Sequence, residues 1–223
     1  MILDVLGGCA EAEISVATGT DAVGVLVPAE NPELCGRLLA GWPSANPAMS
    51  LFGRRFVRCD LVRDRWVAVT WYRDPVEDEY ADLGPVTLIA DRFRPAGRCE
   101  RTVYLSAAAE RMPALRDVVS LVCGRAGVTD AAAGAALETM ARLGWITHVG
   151  VTLTGPRPRL KINAATRELP VALAPALSAR FRQLRAPLGY VACTVDGRGL
   201  SRVRLYARPI PGRQLAAVLG GLR

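Results

Sequence analysis

Gly199-Leu200-Ser201-Arg202-Val203-Arg204-Leu205-Tyr206-Ala207-Arg208-Pro209 carries the pattern from which the whole chain is read. Val203, Leu205 and Ala207 are apolar, and Arg202, Arg204 and Tyr206 fall between them. Successive side chains of a strand point to opposite faces, so this stretch has one apolar face and one cationic, phenolic face. Arg159-Leu160-Lys161-Ile162-Asn163 repeats the pattern, with Arg159, Lys161 and Asn163 opposed to Leu160 and Ile162. Glu100-Arg101-Thr102-Val103-Tyr104-Leu105 is a weaker copy. We read the apolar faces as packed on helices and the cationic faces as lining an enclosed site. The alternative is the solvated face of an open sheet.

Working outward, the same alternation recurs as hairpins. Glu13–Thr18 meets Val23–Val27 across Gly19-Thr20-Asp21, and Phe56–Val62 meets Trp66–Tyr72 across Arg63-Asp64-Arg65. Val86–Asp91 and Arg101–Leu105 pair around Pro95-Ala96-Gly97. Ile146–Leu153 and Arg159–Asn163 pair across Gly155-Pro156, and Tyr190–Val195 meets Ser201–Ala207 over Asp196-Gly197-Arg198-Gly199. Helices are predicted at Pro32–Ala40, Ala109–Ala126, Asp130–Leu143, Val171–Leu184 and Arg213–Leu222, and the acidic stretch 73–84 reads as a loop. Five hairpins with helices between them form an internal repeat of supersecondary structure. The expected fold class is α+β: one domain over 1–223, an antiparallel ten-stranded β-barrel surrounded by α-helices. Closure removes exposed edges, and ten strands leave room for a ligand. An open α+β sheet with helices on one face is the other architecture.

Composition narrows the function. A hydrophobic content of 51% with 22% charged residues describes a folded globule. No apolar run is long enough to cross a bilayer, so no membrane partner is expected. Met1-Ile2-Leu3-Asp4 lacks the basic start of a secretory signal, and the expectation is a cytoplasmic protein. Cys9, Cys35, Cys59, Cys99, Cys123 and Cys193 have no metal-ligand spacing and read as reduced thiols. The net charge of +7 comes from scattered arginines without a dense basic tract, so nucleic acid is not an expected partner. Of 28 basic residues only Lys161 is lysine, a compact charge suited to phosphate oxygens.

If every strand turns its apolar side outward, alternation assigns the lumen. It receives Glu13, Ser15, Arg58, Trp66, Thr70, Tyr72, Thr87, Asp91, Thr102, Tyr104, His148, Thr152, Arg159, Lys161, Asn163, Tyr190, Thr194, Arg202, Arg204 and Tyr206. Four of the five tyrosines, the lysine and the histidine are among them. Arginine and lysine neutralise an anionic leaving group, phenols donate to its oxygens, and aromatic faces stabilise an adjacent carbocation. His148 by itself reads as a polar strand residue.

The pattern resembles the aromatic prenyltransferases with the ABBA barrel, built from five β-β-α-α units around ten antiparallel strands. Indole-type members of that family bind the prenyl diphosphate with basic-x-Tyr strands. Arg159-Leu160-Lys161-Ile162-Asn163 is similar to one such strand, with Asn for Tyr; Ser201–Tyr206 is similar to another, and Thr102-Val103-Tyr104 to a third without its Lys. The family's first strand often reads E-x-S, its Glu taking the indole N–H proton, and Glu13-Ile14-Ser15 matches. The chain departs from the family in its shortness, its start almost at the first barrel strand, and the lack of a basic residue in Gly24–Val27 and of a Lys in Trp66–Tyr72.

The resemblance implies an enzyme of natural-product or antibiotic biosynthesis that alkylates an indole, tryptophan-type or phenolic acceptor with an allylic diphosphate. Glu13 is then the base, and Arg159, Lys161, Asn163, Arg202, Arg204, Tyr104 and Tyr206 hold the anion. Trp66, Tyr72 and Tyr190 shield the cation, with Arg58, Thr102 and His148 completing the lumen. No cofactor is implied; Glu33 and Asp91 are able to assist a magnesium ion, but no ligand spacing marks a site. Two other functions stand beside this one. The barrel could run an acid–base condensation of the Pictet–Spengler type, its arginines holding carboxylates and its second partner an aldehyde or keto acid. Alternatively, it binds an anionic aromatic metabolite without turnover. The oligomeric state is not legible.

Overall fold

The structure, a computed structural model, describes residues 9–29, 54–62, 65–77, 79–84, 86–95, 99–107, 112–154 and 158–220. The helix read at Pro32–Ala40, the residue Glu33 and the N-terminal Met1–Asp4 lie outside the described residues. Ten strands follow in sequence: β1 Glu11–Ala17, β2 Val23–Pro28, β3 Arg54–Val62, β4 Arg65–Arg73, β5 Val86–Phe93, β6 Cys99–Ser106, β7 Trp145–Thr152, β8 Arg159–Ala165, β9 Leu188–Asp196 and β10 Gly199–Ala207. Each pairs antiparallel with its neighbours, and β10 returns to β1 (Ser15 opposite Tyr206, Ala17 opposite Arg204), so the barrel is closed. A short β11, Ile210–Pro211, extends that seam along the start of β1. Of the acidic stretch, Arg73 ends β4, and residues 74–77 and 79–84 are a connection apart from a 3-10 turn at Ala81–Leu83.

Among the described residues four helices accompany the barrel: α1 Met112–Ala126, α2 Asp130–Leu143, α3 Pro175–Gln183 and α4 Leu215–Gly220. None of them is long and apolar enough to cross a membrane. The Thr129 hydroxyl caps α2 by accepting from the Ala132 N–H at 3.3 Å. One step earlier, Gly127 takes φ +61° and lets the Val128 N–H reach back to the Cys123 carbonyl, which ends α1. Ala133, Ala136, Leu137 and Met140 form the buried stripe of α2, at the i, i+3, i+4, i+7 spacing of a helix face. That helix packs on β7, β8, β9 and β10, where Leu160, Ile162, Val203 and Leu205 are at most 2% exposed. Each such side chain contributes about 1.5–3 kcal/mol by burial. The core therefore sits between barrel and helices, and the polar faces of the strands are left to the lumen.

Beta-bulges break the strict alternation at several points. Asp60 opposes Ala68 while Leu61 opposes Trp66, so Val67 is an extra residue and the face of β4 reverses there. Trp66 consequently packs against the outer core with Leu61 and is not a lumen aromatic, a correction to its expected place in the shield. Thr87 is likewise extra in β5, where Val86 opposes Leu105 and Leu88 opposes Tyr104. Beyond it Leu88, Ala90 and Arg92 face the lumen, and Asp91, expected inside, pairs outside with Arg101 at 2.6 Å.

Candidate active site

The lumen has two compartments. The first, of about 470 Å³, lies at the end where odd-numbered strands begin and even-numbered strands finish. Leu26, Phe56, Leu88 and the rings of Tyr72, Tyr104, Tyr190 and Tyr206 line it, with Glu11, Glu13, Arg58, His148 and Asn163 as its polar groups. The second is narrow, about 70 Å³, and lies toward the hairpin turns. Among the described residues seven cations line it: Arg58, Arg92, Arg94, Arg159, Lys161, Arg202 and Arg204. Arg58, Tyr72, Tyr104, Asn163 and Tyr206 belong to both and form the boundary.

Every lumen cation comes from an alternate position of β3, β5, β8 or β10, or from Arg94 just after β5. Two carboxylates stand among them. Asp60, 2% exposed, takes Arg58 at 2.8 Å, Arg92 at 2.6 Å and Arg204 at 3.5 Å. Glu100 takes Arg94 at 3.1 Å and Arg159 at 2.9 Å. Burial opposes the ionisation of both acids, but the adjacent guanidinium groups outweigh it and hold both below the usual carboxylate range. Among the described residues, seven cations against two carboxylates leave an excess of positive charge in a space sheltered from water. Lys161, half-buried near Arg159, Arg92 and Arg58, is pushed down to about 7 by burial first and their repulsion second. Its ammonium lies 3.2 Å from Thr102 Oγ1 and 3.4 Å from the Tyr104 hydroxyl, and 5.7 Å from the centre of that ring. An anion placed there restores its proton affinity and takes the N–H not donated to Thr102 or Tyr104.

Two glycines make room for this packing. A Cβ on Gly24, which opposes Ser15, would sit 2.2 Å from the Arg58 guanidinium. One on Gly150, opposite Tyr104, would sit 2.8 Å from its ring. The second strand, where no basic residue was read, thus yields its space to an arginine from the third.

Glu13 is held at the apolar compartment. Burial pushes its carboxyl up to about 7, against the lowering effect of the Tyr190 hydroxyl and of Arg58. Tyr190 donates to Glu13 Oε1 at 2.6 Å and stacks on Tyr206, with ring centroids 4.1 Å apart. Arg58 donates to the Tyr206 hydroxyl at 3.3 Å, so acid, phenols and guanidinium form one connected array. Burial, the largest cause for each, raises Tyr72, Tyr104, Tyr190 and Tyr206 above the ordinary phenol range, and they remain O–H donors at neutral pH. His148 lines the apolar compartment, where burial lowers its proton affinity and leaves a neutral ring.

Glu13, Arg58, Tyr72, Tyr104, His148, Arg159, Lys161, Asn163, Tyr190, Arg202, Arg204 and Tyr206, read from alternation, all line these compartments, and Thr102 bonds to Lys161 within them. Asp60, Arg92 and Glu100 were not read from the sequence. Asp60 and Glu100 each lie two positions from a residue assigned to the lumen, Arg58 and Thr102; alternation reaches Asp60 within Phe56–Val62, and Glu100 one residue before Arg101–Leu105. Arg92 is reached only with the bulge at Thr87. What the array can do is hold an anion beside an apolar, aromatic-walled chamber and accept a proton there.

A closed barrel of ten antiparallel strands with helices outside is the ABBA fold. The chain is similar to 5-dimethylallyltryptophan synthase from Streptomyces coelicolor at 15% identity, over 89% of this chain and 80% of that one, with a TM-score of 0.61. The same synthase in complex with DMASPP and Trp matches at 15% identity, over 89% of this chain and 78% of that one, with a TM-score of 0.59. AnaPT from Neosartorya fischeri matches at 12% identity, over 91% and 78% respectively, with a TM-score of 0.59. At these identities the likeness is one of fold. No family model matches the chain, and no curated protein matches it by sequence.

Proposed function

We propose that the protein is an aromatic prenyltransferase: it transfers a small allyl group from its diphosphate to an electron-rich aromatic acceptor of indole or phenol type. The observation that carries this reading is the junction of a cationic compartment with a tyrosine-walled apolar one at Arg58, Tyr72, Tyr104, Asn163 and Tyr206. The diphosphate lies among Arg159, Lys161, Arg202 and Arg204, with Tyr104 and Tyr206 donating to it. Its allylic C–O bond breaks with the electron pair leaving on the diphosphate, whose charge these cations neutralise. The rings of Tyr72, Tyr104, Tyr190 and Tyr206 face the resulting allyl cation and keep water from it. An acceptor ring carbon forms the new C–C bond, and a proton leaves the acceptor for Glu13. The arginines and lysine supply the charge, so the reading requires no metal. The S. coelicolor synthase solved with DMASPP and Trp supports this substrate pairing by analogy of fold.

Calorimetric titration with dimethylallyl thiodiphosphate, an unreactive analogue, tests the reading. Micromolar binding that weakens at least tenfold in Lys161→Ala is the expected result, followed by a screen of aromatic acceptors. Absence of binding rejects prenyl transfer. One observation favours a second reading: Asp60 and Glu100 already pair five of the seven lumen cations, and the space between them is about 70 Å³. A carboxylate fits that smaller surplus of charge, as an acid–base condensation of an aromatic amino acid with an aldehyde or keto acid would use. Turnover of tryptophan with an aldehyde, without any diphosphate, decides for it.

A further inference from the structure

The cationic compartment has a mouth of its own. At the hairpin end of the barrel a vestibule of about 280 Å³ is lined by Arg94, Glu100, Arg159, Thr194, Asp196, Ser201 and Arg202. All but Asp196 and Ser201 also line the inner cationic compartment, so the two spaces are contiguous. The residues come from the end of β5, the starts of β6, β8 and β10, and the end of β9, which places this mouth opposite the apolar one. Cation exposure falls along the way in: Arg94 is 46% exposed, Arg159 25%, Arg204 13% and Arg58 5%. In the vestibule Arg94, Arg159 and Arg202 outnumber Glu100 and Asp196, and this net positive charge between low-dielectric walls draws anions inward. Among the described residues that line the opposite compartment, Glu11 and Glu13 stand with Arg58 as the one arginine or lysine.

We propose that this vestibule is an outer binding site for phosphate-type anions, and that the anionic ligand enters and leaves the barrel through it while the apolar partner uses the other end. The proposal rests on the anion-binding reading given above. Glu100, bonded to both Arg94 and Arg159, stands at the neck between vestibule and inner compartment, and an arriving anion takes over its two arginines in turn. Departure of a diphosphate by this route does not require the aromatic product to leave first.

Inorganic pyrophosphate, followed by phosphorus NMR exchange in the full chain, separates the routes. A tryptophan at each mouth serves as an obstacle: Ser201→Trp at the hairpin end and, at the apolar end, Pro209→Trp, since Pro209 lines that compartment. The expected result is that S201W slows association and dissociation together about tenfold at nearly constant Kd, whereas P209W leaves both rates alone. Slowing by P209W alone, or by neither variant, overturns the proposal while leaving the anion site intact. No pyrophosphate binding to the wild type overturns both. Arg94→Glu supplies a second measure if S201W does not fold: association should fall several-fold at low salt, the difference vanishing at high ionic strength. An equal association rate for R94E at low salt overturns the vestibule's role.

Discussion

Replacing Glu13 by Gln tests the electrostatics of the site without any assumed substrate. The carboxyl is moved from 4.5 to about 7 chiefly by burial, so the folded protein favours its neutral form. Between those two values the folded chain binds one proton more than the unfolded chain. Stability from this group is therefore fully present below pH 4.5 and is lost as pH rises through 7. At 1.36 kcal/mol per unit, the shift amounts to about 3 kcal/mol, an upper figure because the compartment opens to solvent. Gln keeps the shape and an acceptor oxygen for the Tyr190 hydroxyl but has no proton to lose. Urea denaturation of both proteins at pH 5 and pH 8 gives the comparison: the wild type should lose up to about 2.5 kcal/mol relative to E13Q across that interval. Parallel pH profiles of stability for the two proteins would refute the assignment of a neutral, buried carboxyl. If the proposed proton transfer also holds, kcat/KM of the wild type rises with pH around 7 and that limb disappears in E13Q.

Three further outcomes follow from the lumen's packing. Lys161 is pushed down to about 7, so its effect has the opposite sign: stability is present above its ordinary pKa of 10.5 and lost as pH falls through 7. Lys161→Met should accordingly melt higher than wild type at pH 6, and a lower melting temperature there would contradict a repelled, buried ammonium. Asp60→Asn leaves Arg58, Arg92 and Arg204 without their shared counter-charge and should cost about 3–5 kcal/mol in denaturant titration; a loss below about 1 kcal/mol would show that solvent reaches these arginines. Gly24→Ala forces the Arg58 guanidinium away from its place over β2, and anion affinity should fall toward, but no further than, that of Arg58→Ala. Unchanged affinity in G24A would mean that Arg58 relocates without consequence.

The alternation of charged and apolar residues in β8 and β10 was enough to separate a helix-packed face from a lumen face. The apolar face has only one means of leaving water, and a period of two admits only one strand phase. The five hairpins followed from turn residues at their centres, and a ladder of consecutive antiparallel hairpins leaves two edges that are stabilised by pairing with each other. Local patterning therefore sufficed for the barrel and for most of its polar lining. It failed at Trp66 and Asp91 because an extra residue at Val67 or Thr87 reverses the face, and whether a residue is extra depends on the partner strand's register. The pairing of Asp60 with three arginines drawn from β3, β5 and β10, the loan of Gly24's space to Arg58, and the partition into apolar and cationic compartments are likewise decided only on closure. Residues on strands far apart in sequence meet across the lumen only when β10 returns to β1, and charge–charge interactions depend on those through-space distances, which no local pattern encodes.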